Sequence, residues 1–414
     1  MSRNIFGFES VVTILRYAFG MSLSRDAEWD ISQVEPHLRP SFIAAAKVFK
    51  RGVTVTALAE DSQNKSYRVD FCEELSDVFN QFHADDLVVV DSEVARFWWH
   101  RLPSGYLAFD FNERKKNIET LSEIFTLLGN YQKKNRNVVV VGGGVAGDVV
   151  GFACGLLAIP CHFVPTTLLA MVDSSIGGKV GINFEPWGKN QLGLFCPPLS
   201  VRIWTGWLSS LAEAELKSGA AEALKHAVLS GNRDLWRAII TVVKNKDWNH
   251  IRNLMFDVLD VKRHVVSRDP YELGERATLN FGHTLGHAVE ILMSRRNRLV
   301  SHGACVALGM VHALRVSERR FGFFANEIVE DIVGAGLLPD KKDLDIILAL
   351  PQSEIMELLK SDKKNDGENA VRFILLKEWG QPVCGPSGEW AVTISTEEAA
   401  RDIAGTVDFL LGKV

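Results

Sequence analysis

The chain has 414 residues, of which 47% are hydrophobic and 23% are charged, and its formal net charge at pH 7 is −5. A chain of this length is too long for one compact hydrophobic core, which favours two domains. The composition excludes disordered and fibrous proteins. The mild charge gives no indication of binding to nucleic acid or anionic lipid, and no apolar run is long enough for a membrane span.

The N-terminal stretch shows no recognisable export signal, because Arg3, Glu9 and Arg16 interrupt its apolar residues. Six cysteines are scattered along the chain without a CxxC pair. We therefore expect reduced thiols in a cytoplasmic protein rather than a disulfide framework.

Residues 1–60 are expected to form an N-terminal extension. Apolar residues there have helix-like spacing, as at Val11, Leu15 and Phe19, but the segment contains no motif that we can interpret. It is either an accessory element or an oligomerisation element, and the sequence leaves this choice open.

Residues 61–206 are expected to form an α/β domain. Leu87–Val90 and Val138–Val141 are short apolar runs of the kind that form buried parallel strands. The helical spacing of Ile118–Leu128 between them suggests that strands and helices alternate.

Residues 207–414 are predicted to be mostly α-helical, because strand signals fade and long helical patterns take over. These patterns cover Glu213–Leu229, Leu235–Val243, Ile251–Val266, His283–Met293 and Val306–Arg319. The clearest loop signals in the chain are Pro160, Pro197–Pro198 and Asp362–Gly367.

A glycine-rich turn follows the second apolar run, where Gly142–Gly144 lead into a helical pattern that contains Asp148. Backbone amides of such a turn can approach a phosphate, and the helix N-terminus adds favourable partial charge. The spacing is not GxGxxG, so tight packing of strand on helix is an equally open explanation.

Polar residues also interrupt an apolar segment further on. Asp173 is followed by two serines, two glycines and Lys179, and a second lysine, Lys189, precedes Asn190. Lysines near a cleft can hold a phosphate as point charges. The alternative is a solvated loop in which Asp173 caps a helix.

A third group of polar residues lies in the helical half. Glu222 and Lys225 share a helix face, and His283 and His287 are spaced to share another, with His302 nearby in sequence. Imidazoles and a carboxylate fit a Zn²⁺-type site with open positions, although a lone buried histidine is more often a core residue. Spacing alone nominates the pair His283 and His287.

Together, these segments resemble the motif series of 3-dehydroquinate synthase and its sugar-phosphate cyclase relatives. The resemblance covers roughly residues 67–373 and rests on GGGVAGDVVGF, VPTTLLAMVDSSIGGK, GKNQLGLFCPP, SGAAEALKHAVL, LNFGHTLGHAVE and SHGACVALGM, in that order. It implies an N-terminal NAD-binding, Rossmann-like α/β domain, a mostly α-helical C-terminal metal-binding domain, an active site in the cleft between them, and a homodimer.

The resemblance also assigns site residues. Metal ligands, for Zn²⁺ or Co²⁺, fall on Glu222, His283 and His302, so His287 becomes a substrate-site residue. The implied NAD contacts are Asp91, Glu113, Lys116, Gly143, Gly144, Asp148, Thr166, Thr167, Lys189 and Glu215. The implied substrate pocket holds Asp173, Lys179, Asn190, Lys225, Lys262, Arg276, Asn280, His287 and Lys364, of which Asp173, Lys179, Lys225 and His287 are the expected catalytic group.

The family reaction suits these residue types. NAD⁺ transiently oxidises an alcohol, phosphate is eliminated, the ketone is reduced again and the opened ring closes by an aldol step, so the net reaction is that of a lyase. Because Arg276 can offer a bidentate fork to a carboxylate, we expect 3-deoxy-D-arabino-heptulosonate 7-phosphate as substrate, as in the shikimate pathway to aromatic amino acids. The alternative is an enzyme that acts on an amino analogue, or another cyclase of a heptulose 7-phosphate in secondary metabolism. A metal-dependent polyol dehydrogenase and a non-catalytic binding protein are more remote.

The chain departs from the family pattern in three places. The segment ACGLLAIPCHFV lacks the arginine that reaches phosphate in the neighbouring subunit, and the basic run 294–298 is either its replacement or an exposed loop. Trp204 and Gly206 stand where relatives have aspartates, and Ala212 replaces a proline. One extra residue lies between Lys179 and Lys189.

Overall fold

The computed structural model describes residues 29–30, 55–59, 67–132, 136–184, 188–361, 370–386 and 388–412. The described residues of Met1–Thr166 and Gly178–Ser209 form unit 1, and those of Thr167–Gly177 and Ser210–Val414 form unit 2. The predicted order, an α/β domain followed by a mostly helical domain, is confirmed. Within these residues, no helix combines the length and the apolar character required to cross a membrane.

Unit 1 is built on an eight-stranded sheet. Its strands are β1 (Trp29–Asp30), β2 (Val55–Ala59), β3 (Tyr67–Phe71), β4 (Leu87–Asp91), β5 (Leu107–Phe109), β6 (Val138–Gly142), β7 (Cys161–Pro165) and β10 (Ser200–Ile203). Their order in the sheet is β1-β2-β3-β10-β7-β6-β4-β5. All neighbours are parallel except β2 and β3. Every residue of β6 is buried, as expected for a parallel strand covered on both faces.

Among the residues that the structure describes, four helices accompany this sheet: α1 (Leu75–Phe79), α2 (Ser92–Trp98), α3 (Ile118–Gln132) and α4 (Gly144–Leu156). Asp91 ends β4 and caps α2, because its side chain accepts a hydrogen bond from the backbone N–H of Glu93 at 2.9 Å. Since β1 and β2 belong to the sheet, unit 1 includes part of the segment that we treated as an extension. The helical pattern at Val11, Leu15 and Phe19 lies outside the described residues.

Two further strands of unit 1, β8 (Lys179–Phe184) and β9 (Gly188–Phe195), form an antiparallel pair of their own. The residues before them in sequence, Ala170–Ser174, form a π-helical turn in unit 2. The alternative of a solvated loop for this part of the sequence is therefore wrong. Pairing of β8 with β9 places Lys189 and Asn190 on a strand, where their backbone is held by hydrogen bonds.

Trp204 and Gly206, which depart from the family pattern, belong to one packing feature of unit 1. The Trp204 ring packs edge-to-face against Trp98 and Trp207, at centroid distances of 5.3 and 5.2 Å. A Cβ atom at Gly206 would lie 2.1 Å from the Trp204 ring. Glycine at 206 is thus required once tryptophan occupies 204.

Unit 2 is formed mainly by nine helices among the described residues. They are α5 (Glu213–Ser230), α6 (Arg233–Asn245), α7 (Ile251–Arg268), α8 (His283–Arg295), α9 (His302–Phe321), α10 (Asn326–Gly334), α11 (Lys341–Leu348), α12 (Gln352–Ser361) and α13 (Thr396–Leu411). Two small antiparallel pairs were not predicted: β11 (Ala370–Phe373) with β14 (Val392–Ser395), and β12 (Leu376–Glu378) with β13 (Gln381–Pro382). Both α5 and α9 bury more than half of their residues, so they form the core of this unit. All six cysteines of the chain are free thiols.

Candidate active site

Unit 2 contains a buried carboxylate, that of Glu222 on α5, which is 0% exposed. Lys225 follows one helical turn later on the same face, and its ammonium group contacts Glu222 Oε2. Glu222 Oε1 lies 3.5 Å from His283 Nε2 and 3.6 Å from His302 Nε2. The helices α5, α8 and α9 thus direct one carboxylate and two imidazoles to the same point.

An acceptor at Nδ1 orients each of these two imidazoles. His283 Nδ1 lies 3.1 Å from the backbone oxygen of Phe281, and His302 Nδ1 lies 3.3 Å from Glu290 Oε2. A proton on each Nδ1 satisfies these acceptors, and each Nε2 is then directed at Glu222. Although burial opposes it, Glu222 and Glu290 raise the pKa of His302 to about 10, so Nε2 of His302 carries a proton when no metal is bound. A divalent cation could take the place of this proton between the imidazoles and the carboxylate.

His287 lies one helical turn after His283 on α8, and the two ring centroids are 5.0 Å apart. Each of His283, His287 and His302 offers a nitrogen within 4.8 Å of those of the other two. The spacing argument that paired His283 with His287 therefore identified neighbours correctly. The contacts of Glu222 Oε1 favour the set that the resemblance implies, with His302 as the second histidine.

Asp173, in the π-helical turn of unit 2, lies among three basic side chains. Lys262 Nζ donates to Asp173 Oδ1 at 2.8 Å and to its backbone oxygen at 2.6 Å. Lys225 Nζ lies 3.9 Å and His226 Nε2 lies 3.3 Å from the same Oδ1. His226 was not predicted as a site residue, although it directly follows Lys225 in the motif and is 0% exposed.

Electrostatics keep the carboxylates of this cluster ionised. Burial would raise the pKa of Asp173, but the charges of Lys262 and Lys225 hold that pKa well below its usual value. Burial likewise opposes ionisation of Glu222, yet Lys225 and His283 lower its pKa. The pKa of Lys225 is raised although burial opposes this, because Glu222 and Asp173 lie beside it. Asp173, Glu222 and Lys225 are therefore all charged at neutral pH.

Arg276 is buried in a short 3₁₀ helix, Glu275–Asn280. Its guanidinium donates to the backbone oxygen of Pro270 and, at 2.9 Å, to that of Gly177. Gly177 has φ +95°, and a Cβ atom there would lie 2.5 Å from Arg276 Nη2. The glycine thus allows the arginine to approach the backbone of the Asp173 segment.

The side-chain amide of Asn280 donates through Nδ2 to Glu272 Oε1 at 2.6 Å. The sequence analysis did not single out Glu272, because an acidic residue in a charged loop carries no distinctive pattern. Lys364, the remaining predicted substrate residue of this half, lies outside the described residues.

In unit 1, the ends of β4 and β6 carry the predicted nucleotide residues. A Cβ atom at Gly142 would lie 3.2 Å from Asp91 Cβ, so the two strand ends are close together. Gly143 precedes α4, Gly144 is its first residue, and the N–H of Thr166 donates to Gly142 O at 3.0 Å. This strand, glycine turn and helix N-terminus is suited to a phosphate group.

Five more predicted residues form two ion pairs and one hydrogen bond in unit 1. Lys116 Nζ lies 2.5 Å from Asp148 Oδ2 and donates to Asn190 Oδ1 at 2.5 Å. Lys189 Nζ lies 3.1 Å from Glu113 Oε1. The structure therefore brings together side chains from three separate segments. Four of these residues were assigned to the NAD site, and Asn190 was assigned to the substrate pocket.

Three predicted residues are not part of these clusters within their own units. Lys179 is exposed at the start of β8 in unit 1. Thr167 belongs to unit 2, where its hydroxyl accepts from Ala170 N at 3.2 Å, and Glu215 is exposed in the first turn of α5. Their roles stay predictions.

The basic run 294–298 begins in the last two residues of α8, and two of its arginines form ion pairs with acidic residues of unit 2. Arg296 Nη2 lies 2.8 Å from Glu354 Oε2, and Arg298 Nη1 lies 3.6 Å from Asp343 Oδ1. These ion pairs favour the interpretation of the run as a surface loop over a replacement for the missing phosphate-binding arginine.

The chain matches two family models that together span more than half of its length. Residues 107–218 match the 3-dehydroquinate synthase N-terminal model, and residues 219–365 match the 3-dehydroquinate synthase C-terminal model. A 3-dehydroquinate synthase from Streptococcus sanguinis is 33% identical over 312 residues, which cover 71% of this chain and 84% of that protein. The chain belongs to the 3-dehydroquinate synthase family.

Solved structures show that this member of the 3-dehydroquinate synthase family shares its fold with two other synthases. A 2-deoxy-scyllo-inosose synthase, complexed with carbaglucose-6-phosphate, NAD⁺ and Co²⁺, is 23% identical with a TM-score of 0.70, and the match covers 85% of this chain and 99% of that one. The 2-epi-5-epi-valiolone synthase of Streptomyces hygroscopicus subsp. jinggangensis, with NAD⁺ and Zn²⁺ bound, is 22% identical with a TM-score of 0.70, covering 84% and 98%.

Proposed function

We propose that this protein is a lyase that converts 3-deoxy-D-arabino-heptulosonate 7-phosphate into 3-dehydroquinate, with NAD and Zn²⁺ or Co²⁺ as cofactors. The observation that carries the proposal is the contact of Glu222 Oε1 with the Nε2 atoms of His283 and His302, surrounded by buried lysines. A family member with this carboxylate and imidazole set has the residues that the cyclase reaction requires.

The geometry of Glu222, His283 and His302 fits a divalent metal. Two ligand atoms bound to Zn²⁺ at about 2.0–2.1 Å in tetrahedral geometry are about 3.4 Å apart. The observed separations of 3.5 and 3.6 Å agree with this spacing. When bound, such an ion would polarise the oxygen of the substrate alcohol that is oxidised. Chelation should remove activity, and added Zn²⁺ or Co²⁺ should restore it.

The strand, glycine turn and helix of unit 1 fit a dinucleotide. Backbone N–H groups at the start of α4 would receive the pyrophosphate, and the Asp91 carboxylate at the end of β4 would accept hydrogen bonds from ribose hydroxyls. Bound NAD⁺ would accept one hydride and return it in the same turnover, so the reaction has no net oxidation.

Side chains of unit 2 would bind and orient the sugar phosphate. Lys225 and Lys262 are ammonium donors for its hydroxyl or phosphate oxygens, and Asp173 holds both in place. An imidazole nitrogen of His287 would take the proton of the substrate hydroxyl as that carbon is oxidised, and would return it on reduction. The net change is loss of inorganic phosphate and closure of the carbon ring.

The decisive experiment measures inorganic phosphate released by the purified protein from three substrates: the heptulosonate phosphate, its amino analogue, and sedoheptulose 7-phosphate. We expect release from the first without net formation of NADH. Release from the amino analogue or sedoheptulose 7-phosphate alone would reassign the substrate. Net NADH formation with a polyol would instead identify a dehydrogenase.

Replacing Arg276 by lysine is expected to lower kcat/KM for the heptulosonate phosphate. The expected loss of transition-state stabilisation is about 2–4 kcal/mol. Lysine lacks the planar fork, so it cannot contact both backbone carbonyls and bind a substrate carboxylate as well. Steady-state phosphate release tests this, with Arg268→Lys as the control because that side chain is 61% exposed. An unchanged kcat/KM in Arg276→Lys would exclude a role in carboxylate recognition.

Binding of NADH is expected to weaken as the pH falls below about 6. Burial, with the nearby charges of Asp110 and Glu93, raises the pKa of Asp91 to about 6, although the Glu93 N–H opposes the rise. The Asp91 carboxyl group is therefore mostly ionised above this pH, where it can accept hydrogen bonds from ribose hydroxyls, and mostly protonated below it. Fluorescence titrations between pH 5 and 8 should show that the Kd of NADH rises at low pH in wild type but not in Asp91→Asn. The same pH dependence of the Kd in both proteins would assign it to another group.

A further inference from the structure

Asn183, on β8, lies where three segments of unit 1 meet. Its backbone N–H donates to the backbone oxygen of Lys116 at 2.8 Å. Its side-chain Nδ2 donates to Glu113 Oε1 at 2.9 Å, and its Oδ1 accepts from the backbone N–H of Asn190 at 2.9 Å. One residue outside the predicted site thus contacts three residues that belong to it.

The contact with Asn190 stabilises an uncommon backbone conformation. Asn190 has φ +52°, in the left-handed region that few residues other than glycine adopt. Asparagine tolerates this region, but the conformation persists only where neighbouring groups hold it, as in functional sites. The hydrogen bond from Asn190 N to Asn183 Oδ1 is such a restraint.

The same hydrogen bonds determine which of the two amide atoms of the Asn190 side chain contacts Lys116. Lys116 Nζ can only donate, so Asn190 Oδ1 accepts from it. In this orientation, Nδ2 of Asn190 can donate to an oxygen of a ligand. Asn190 itself is exposed, which leaves this donor accessible.

The neutral amide of Asn183 also suits its position beside charges. Glu113 Oε1 receives both Lys189 Nζ at 3.1 Å and Asn183 Nδ2 at 2.9 Å. A carboxylate in place of the amide would put two negative charges at hydrogen-bond distance and remove the donor. An aspartate is nearly the same size, so this substitution isolates the electrostatic effect.

We propose that Asn183 is a positioning residue that holds Glu113 and Lys116 in the arrangement that binds the dinucleotide, and with them Asn190 of the implied substrate pocket. It acts through the three residues that it contacts. This inference rests on the proposed NAD-dependent function, because it takes the region around Lys116 to be the cofactor side.

The test measures the Kd of NADH by fluorescence titration of the full chain, without sugar phosphate, together with thermal unfolding. Asn183→Asp is expected to raise the Kd about tenfold or more. The control Asn326→Asp changes the net charge equally at an exposed position on α10, and its Kd should equal that of wild type.

The pair Asn183→Asp with Glu113→Gln distinguishes positioning from a general loss of structure. It restores a hydrogen bond between the two side chains with the direction reversed, and residue 183 keeps the oxygen that accepts from Asn190 N. We expect the double variant to bind NADH more tightly than the product of the two single effects predicts.

Independent effects of the two substitutions, or an unchanged Kd in Asn183→Asp, would overturn the positioning role. If Asn183→Asp fails to fold, the double variant and Asn183→Ala decide the question by the same titration. Wild type that does not bind NADH at all would contradict the proposed function instead, so the two failures are distinguishable.

Discussion

Replacing Glu222 by glutamine is expected to remove both bound metal and activity. Glutamine keeps the shape of the side chain but offers a neutral oxygen, which binds a divalent cation far more weakly than a carboxylate. Substitutions of groups that only hydrogen-bond to metal ligands already lower metal affinity or activity about 10–100-fold. For the ligand itself we therefore expect an activity loss of at least about a hundredfold. Metal analysis of the purified variant, in parallel with phosphate release, checks both parts.

Two other glutamate variants serve as comparisons for Glu222→Gln. Glu290→Gln replaces the charged acceptor 3.3 Å from His302 Nδ1 by a neutral amide and should reduce metal affinity about 10–100-fold without abolishing it. Glu357→Gln, at an exposed position on α12, should retain full metal content and activity. Full metal occupancy in Glu222→Gln would remove this carboxylate from the ligand set.

The long helices could be predicted from sequence because apolar periodicity sets their buried face. The pattern at 213–229 predicted α5 to within one residue, and the pattern at 251–266 predicted α7 to within two. The start of α9 was predicted too late, at Val306 instead of His302. Its first turn is small and polar, and the signal that marks it is Ser301, whose hydroxyl accepts from Ala304 N at 3.3 Å.

Short elements could not be predicted in the same way. The strand β13 has two residues and β12 has three, too few for an alternating pattern to be recognised. Lys179–Asn190 was also ambiguous, because glycines and charged residues hid the strand pair β8 and β9. Only pairing between the two strands, which no local pattern reveals, distinguishes this hairpin from a loop.

The candidate site shows the same division. Residues inside dense motifs, such as Glu222 and His283, are recognisable in the amino-acid sequence alone. Asn183 and Glu290 are not, because their importance depends on partners distant in sequence: Asn183 contacts Glu113, 70 residues away. A buried group that orients a functional side chain has no sequence pattern of its own, so contacts must reveal it.

Replacing Asp173 by asparagine is expected to lower both activity and stability. The substitution leaves Lys225 and Lys262, which are 1% and 6% exposed, without the carboxylate that lies between them. Removing one member of a buried charge group costs about 3 kcal/mol, which corresponds to a fall in Tm of about 6–12 °C for a unit of this size. The variant should also lose activity about a hundredfold, because both ammonium groups lose their fixed position.

The pH dependence of Tm tests whether the negative charge of Asp173 is the source of this stabilisation. Its pKa is held well below the usual value by Lys262 and Lys225 although burial opposes this. The stabilisation is therefore complete above the ordinary carboxyl pKa of about 4 and is lost only as the pH falls below it. The Tm difference between wild type and Asp173→Asn should stay constant from pH 5 to 8, while Asp234→Asn, 95% exposed, should shift Tm little. A difference that disappears at neutral pH would show that the lysines do not depend on this carboxylate.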